Sequence, residues 1–309
     1  MARVFVTREL PGRALEKLAA EHDVDLWAER DAPPFVDLCR RSAGAEGLLC
    51  MLTDRIDAEL LDAAPGLCAI STMAVGTDNI DLSEAARRGV PVGHTPDVLT
   101  DTTADLAVAL MLAAARRLPE GEAAVRAGDW GPWHPGWMLG RDLHGATVGI
   151  VGMGRIGQAV ARRLEGFGVR LLDARRDGVE RLLDESDFVS LHCPLTEGTL
   201  GLIDAAALRR MKPEAILVNT ARGPIVDAGA LADALAAGEI AAAALDVTDP
   251  EPLPTDHPLL SAPNLIVLPH VGSATHATRE TMADVAVDNL LAALRGEPMP
   301  HTAYAGELG

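Results

Sequence analysis

The chain has 309 residues, enough for two domains, and 48% of them are apolar, ample for buried cores. No apolar run approaches the ~18 residues that cross a bilayer, and the N-terminal "MARVFVTREL" alternates like a strand instead of forming a secretory h-region, so a cytoplasmic protein is expected. A net charge of −18 argues against nucleic acid and anionic membranes as partners, and four scattered cysteines without a CxxC pair argue against a zinc ribbon or a disulfide frame, so no metal is expected.

The first hundred residues alternate strand-like runs ("RVFVT", "VDLW", "GLLCML", "CAISTMA", "VPVGH") with helical patterns such as "GRALEKLAAEH". That alternation predicts a parallel sheet covered on both faces. Residues 100–118, "TDTTADLAVALMLAAARRL", open on good N-cap types and are apolar nearly all round, which predicts one long helix buried on most sides. Residues 128–145, "GDWGPWHPGWMLGRDLHG", hold three of the four tryptophans among Gly and Pro. This segment reads either as a loop packed on its own domain or as an arm reaching a partner subunit, and the enrichment of aromatics at interfaces favours the arm. From residue 146 a second alternating series begins ("TVGIVGMG", "VRLLDA", "FVSLHC", "AILVNTA", "AAAALDV", "LIVLPH"), and residues 275–295 predict a terminal helix ended by Gly296 and Pro298. The expected class is α/β, two doubly wound parallel-sheet domains.

The second series opens with "GMGRIG", which puts Gly152, Gly154 and Gly157 in the G-x-G-x-x-G pattern between a strand and a helix. The first Gly permits the tight turn, the second lets backbone approach a pyrophosphate, and the third lets helix pack on strand. A dinucleotide is the expected ligand. An acidic residue normally closes the next strand and binds the adenosine ribose, but in "LLDARRD" the expected place holds Arg175 and Arg176, with Asp173 two residues early. Two planar guanidinium donors suit a 2′-phosphate, so NADP(H) is expected over NAD(H). The bland alternative is a solvated basic turn with Asp173 on the ribose.

Three further apolar runs end in residues with chemical capability: "AILVNTARG" in Arg222, "AAAALDVTDPEP" in Asp246 and Glu251, and "LIVLPHVGS" in His270. Parallel strands bring such residues to one edge. A His polarised by a carboxylate serves as general acid–base, and an Arg clamps a carboxylate at two points. Singly, each has a dull reading: a helix-capping or Asp227-paired arginine, a solvated glutamate, a structural histidine.

At these residues the sequence resembles the D-2-isomer-specific 2-hydroxyacid dehydrogenases. The resemblance covers essentially the whole chain and rests on "VGIVGMGRIGQAVARRL", "DFVSLHCPLT", "NTARGPIVD", "AAAALDVTDPEPLP" and "LPHVGSAT". "LLCMLTDRID", "ISTMAVGTDNID" and "HTPDVLTDTTADLAVALML" look most like the glyoxylate/hydroxypyruvate reductase subgroup. The resemblance implies a flavodoxin-like substrate domain made of residues 1–99 plus 276–309, and a Rossmann dinucleotide-binding domain of residues 100–275. It implies His270 as acid–base, Glu251 as its partner, and Arg222 on the substrate carboxylate and carbonyl. Leu52, the N–H groups of Val75 and Gly76, and Ser273 are implied to surround the substrate, with Trp137 entering from the partner of a homodimer. Met153, Arg155 and Ile156 within the glycine turn, Cys193, Pro194, Thr199, Thr220, Ala221, Asp246 and Gly272 are implied to contact the cofactor. The implied reaction is NADPH-dependent reduction of glyoxylate or hydroxypyruvate. Alternatives are another D-2-hydroxyacid such as 3-phosphoglycerate, for which the chain is expected to lack a C-terminal regulatory module, and a dinucleotide-sensing binding module. One departure stands out. Between "VRLLDARR" and "DFVSLHC" lies only "DGVERLLDES", room for one short helix where relatives are expected to carry a further helix and strand.

Overall fold

The computed structural model describes residues 1–304, which divide into two compact units: Met1–Leu99 together with the chain from Ala274, and Thr100–Ser273.

The first unit is built on five parallel strands, β1 (Arg3–Val6), β2 (Asp23–Leu26), β3 (Gly47–Cys50), β4 (Ala69–Thr72) and β5 (Val92–Gly93), in the spatial order β2-β1-β3-β4-β5. This is the flavodoxin order, with the topological switch between β1 and β3. Every residue of β3 and β4 is buried, as strands covered by helices on both faces must be. The helix His276–Leu294, N-capped by Thr275, covers one face. It is tied down by Ser71 Oγ, which donates to the Ala286 carbonyl at 2.8 Å. Gly93 explains the close approach of β5, since a Cβ there would lie 2.7 Å from Asn289 Cβ.

The second unit holds six parallel strands, β6 (Thr147–Val151), β7 (Arg170–Asp173), β8 (Phe188–Leu191), β9 (Ile216–Asn219), β10 (Ala242–Leu245) and β11 (Leu265–Val267), ordered β11-β10-β9-β8-β6-β7. Strands β8, β9 and β10 are wholly buried. The segment between β7 and β8 folds as a four-residue helix, Ala174–Asp177, and then the helix Val179–Glu185, with no strand between them, so β7 is the edge of the sheet. Gly149 in β6 lets the second helix seat, because a Cβ there would come within 2.4 Å of Leu182 Cγ.

The expected single helix over residues 100–118 is two. Thr100–Ala115 ends at a left-handed Arg117 (φ 52°), and Leu118–Ala127 starts again with Pro in its first turn. The proline fits there because the first-turn N–H groups have no partner within a helix. Among the described residues, no helix is long and apolar enough to cross a membrane, and no group of three or more His, Cys, Asp or Glu side chains converges to hold a metal ion.

Candidate active site

The glycine turn follows β6. Gly152 has φ +99°, and a Cβ on it would lie 2.4 Å from the Cys193 amide nitrogen, so both conformation and space demand glycine. A Cβ on Gly157 would lie 2.1 Å from the Gly152 carbonyl oxygen, so helix Arg155–Leu164 sits directly on the turn. Around Gly154, the N-cap of that helix, a Cβ would meet nothing within 4 Å, and no side chain caps the helix. Open space above uncapped first-turn N–H groups suits a pyrophosphate. Met153 and Ile156 are half-buried and pack into the core beneath, while Arg155 is exposed at the rim. Cys193 forms a buried wall behind the turn, and burial pushes its thiol up. Pro194 and Thr199 belong to the loop after β8, where the Thr199 hydroxyl donates to the Pro194 carbonyl at 2.7 Å and fixes the loop's shape.

At the edge strand the structure corrects the sequence expectation. Strand β7 runs to Asp173 itself, so the acidic residue is not two positions early but ends the strand, and Arg175 and Arg176 lie in the following turn of helix. The reason is capping: the Asp173 carboxylate accepts from the Arg175 N–H at 3.0 Å. Arg175 and Arg176 are both exposed, and Arg176 pairs with Asp177 at 2.8 Å. The guanidinium of Arg176 holds the Asp177 carboxyl below its usual range.

The chemistry-bearing residues follow three neighbouring strands. At the end of β9, Asn219 clamps the turn that follows, its amide accepting from the Ala221 N–H and donating to the Arg222 carbonyl, both at 2.9 Å. Thr220 and Ala221 are buried in that turn, and Arg222 is half-buried. A Cβ on the next residue, Gly223, would lie 1.9 Å from the Thr248 carbonyl oxygen. The Asp227 carboxylate caps the helix Ala228–Ala237. After β10, Asp246 is 1% exposed. Burial pushes its carboxyl up, against the opposing pull of the Val271 amide, His270 and the Gly272 amide. After β11 the chain turns through His270, whose φ is +52°. The turn brings the N–H groups of Val271 and Gly272 onto the two Asp246 oxygens, each at 2.7 Å, and the His270 N–H onto the Asp246 carbonyl at 2.9 Å. The imidazole Nδ1 lies 2.6 Å from Glu251 Oε1, leaving Nε2 on the other side of the ring. A carboxylate at Nδ1 holds the ring in one orientation, with Nε2 turned away from Glu251.

Ser273, half-buried, closes this segment. Trp137 is 43% exposed and belongs to an arm whose Trp130 and Trp133 are 68% and 85% exposed, so the latter two rings stand mostly in solvent on the single chain. In the first unit, Leu52 follows β3 and Val75 and Gly76 follow β4, all half-buried.

Two residues escape the sequence reading. Asn219 is a polar residue at the end of an apolar strand, a visible signal. His192 is signalled only by its place beside Cys193. Its Nε2 lies 2.8 Å from Ser190 Oγ and its Nδ1 3.3 Å from Thr220 Oγ1, so it links the ends of β8 and β9.

The second unit is thus a dinucleotide-binding α/β unit with a His–carboxylate pair and an arginine at adjacent strand ends. The family model of the D-isomer specific 2-hydroxyacid dehydrogenase NAD binding domain matches residues 108–272. A glyoxylate reductase of Korarchaeum cryptofilum is 51% identical, over 97% of this chain and 95% of its own. A human glyoxylate reductase/hydroxypyruvate reductase is 49% identical, over 97% of each. The crystal structure of an NADPH-dependent glyoxylate/hydroxypyruvate reductase from Sinorhizobium meliloti with NADP and malonate superposes with a TM-score of 0.85 at 35% identity, covering 98% of this chain and 96% of that one. The chain belongs to the D-isomer specific 2-hydroxyacid dehydrogenases and is an oxidoreductase that uses a nicotinamide dinucleotide.

Proposed function

We propose that the protein reduces glyoxylate and hydroxypyruvate to the corresponding 2-hydroxy acids, with NADPH preferred over NADH. The observation that carries the chemistry is the His270–Glu251 pair at 2.6 Å, beside Arg222 at the end of a neighbouring strand. In this reading the bound dihydronicotinamide supplies the hydride. His270 delivers a proton from Nε2 to the carbonyl oxygen, while Glu251 orients the imidazole through Nδ1. Arg222 binds the substrate carboxylate and polarises the carbonyl. The N–H groups of Val75 and Gly76 bind the carboxylate as well, with Leu52 and Ser273 beside the substrate. Thr220, Ala221, Asp246 and Gly272 hold the nicotinamide end, and Cys193, Pro194 and Thr199 the adenosine side. Residues 1–99 with the terminal helix act as substrate domain, and residues 100–275 as cofactor domain.

Cofactor preference rests on the edge strand. One Asp173 oxygen is already engaged by the Arg175 N–H, which weakens it as a ribose acceptor, and the two arginines stand exposed beside it. The NADP bound to the Sinorhizobium relative points the same way. The assembly in this reading is a homodimer whose exposed tryptophan arms cross between subunits.

The test is steady-state oxidation of NADPH and NADH with each acid, for the wild type and His270→Ala. The expected result is faster turnover with NADPH, and in the variant a loss of ~10²-fold or more in kcat with NADPH binding retained. Faster turnover with NADH gives the ribose to Asp173, and unchanged turnover in the variant removes His270 from the mechanism.

A further inference from the structure

The loop after β4 carries two successive N–H groups, those of Val75 and Gly76, and the structure shows what aims each of them. A trans peptide holds its C=O and N–H in one plane, pointing in opposite directions. Fixing the carbonyl therefore fixes the direction of the N–H of the next residue. The Ala74 carbonyl accepts from the Thr95 N–H at 2.8 Å, which sets the Val75 N–H. The Val75 carbonyl lies 3.1 Å from His94 Nδ1, and this sets the Gly76 N–H. A carbonyl oxygen only accepts, so Nδ1 carries the proton, as it does in one neutral tautomer and in the imidazolium alike.

The backbone that carries the ring is itself held. The His94 N–H donates to the His301 carbonyl at 3.1 Å. The His94 carbonyl accepts from Asn289 Nδ2 at 2.9 Å, and Asn289 Oδ1 accepts from the His301 N–H at 2.9 Å. Asn289 is fully buried on the helix His276–Leu294 and in close contact with Gly93. The first anchor is backbone to backbone and survives most substitutions. The second depends on one side chain.

We propose that His94 is a positioning residue for substrate: by holding the Val75 carbonyl it presents the Gly76 N–H to the substrate carboxylate. This rests on the proposed role of the Val75 and Gly76 amides.

The experiment compares His94→Ala and His94→Asn with the wild type. The Asn side-chain amide occupies nearly the place of Nδ1 and can donate to the same carbonyl. Losing one aimed donor to a charged group predicts a KM for glyoxylate raised about tenfold in His94→Ala, with kcat changed less than about threefold. The dissociation constant for NADPH, measured by fluorescence, should be unchanged, and His94→Asn should recover most of the lost KM. A purely structural role moves the unfolding temperature of both variants without this split. An unchanged KM in His94→Ala, or an equal rise in both variants, overturns the proposal. His94→Leu fills the site without a donor and replaces His94→Ala should that variant not fold. Should the wild type reduce neither acid, the proposed activity fails. Calorimetric binding of oxalate to wild type and His94→Ala then decides the positioning role, and equal affinities or none overturn it.

Discussion

His192 shows at the scale of one residue what burial does to a titratable group. Among the described residues its hydrogen-bond partners are the Ser190 and Thr220 hydroxyls, and burial pushes its imidazole down to about 4. The folded protein therefore keeps it neutral where an unfolded chain, at about 6.5, takes up a proton. Stability from this residue is fully present above about pH 6.5 and is lost as the pH falls towards 4, by roughly 3 kcal/mol at most. Burial raises Asp54 and Asp246, which shifts stability the opposite way over acid pH, so the wild-type curve alone does not isolate the histidine. The comparison with His192→Gln does. Urea unfolding from pH 8 to pH 4.5 should show the variant gaining on the wild type as the pH drops. A constant difference across that range would show that the folded chain accepts the proton as readily as the unfolded one.

At the scale of elements, the turn at His270 after β11, tied to Asp246 after β10, is the decisive construction. The left-handed turn at His270 is a conformation uncommon for a side-chain-bearing residue, and the two bonds from Val271 and Gly272 to Asp246 are what maintain it. Asp246→Asn keeps the shape but offers one acceptor oxygen, so an NH₂ group must face one of the two N–H donors. The cost of the unpaired buried donor is about 1–3 kcal/mol. The expected outcome is a lower unfolding temperature together with a kcat reduced tenfold or more, since the imidazole loses its aim. A variant with native stability and native kcat would separate Asp246 from the His270 turn. The sequence carries half of this. Apolar runs ending in Asp246 and His270 are visible as strands with polar ends, and parallel pairing follows from the strand–helix alternation. The carboxylate-to-amide bonds are not visible, because they depend on a positive φ that no residue type at 270 dictates. The same holds at Arg117, where "RRL" continues a helical pattern and only the backbone breaks it. At β7 the strand end was legible to within two residues, and those two residues decide whether Asp173 or Arg175 closes the strand.

At the scale of the whole molecule, a surface with net charge −18 nevertheless exposes Trp130, Trp133 and Leu139 on one arm, at 68%, 85% and 67%. In the proposed homodimer a second copy of the chain covers these rings. If Trp137 serves the site of its partner while His270 serves its own, the two residues complement each other across subunits. Trp137→Ala and His270→Ala homodimers should each be nearly inactive. Mixed by co-expression in equal amounts, half of the dimers pair one variant with the other, and each such dimer assembles one complete site. Activity should then return to about a quarter of wild type. Light scattering fixes the dimer independently, and replacing Trp130 and Trp133 by Ser should shift it towards monomer. Recovery in the mixture requires that the arm cross between subunits. A mixture no more active than its components, from a chain that is dimeric, would keep Trp137 in its own subunit and leave the arm as a contact surface only.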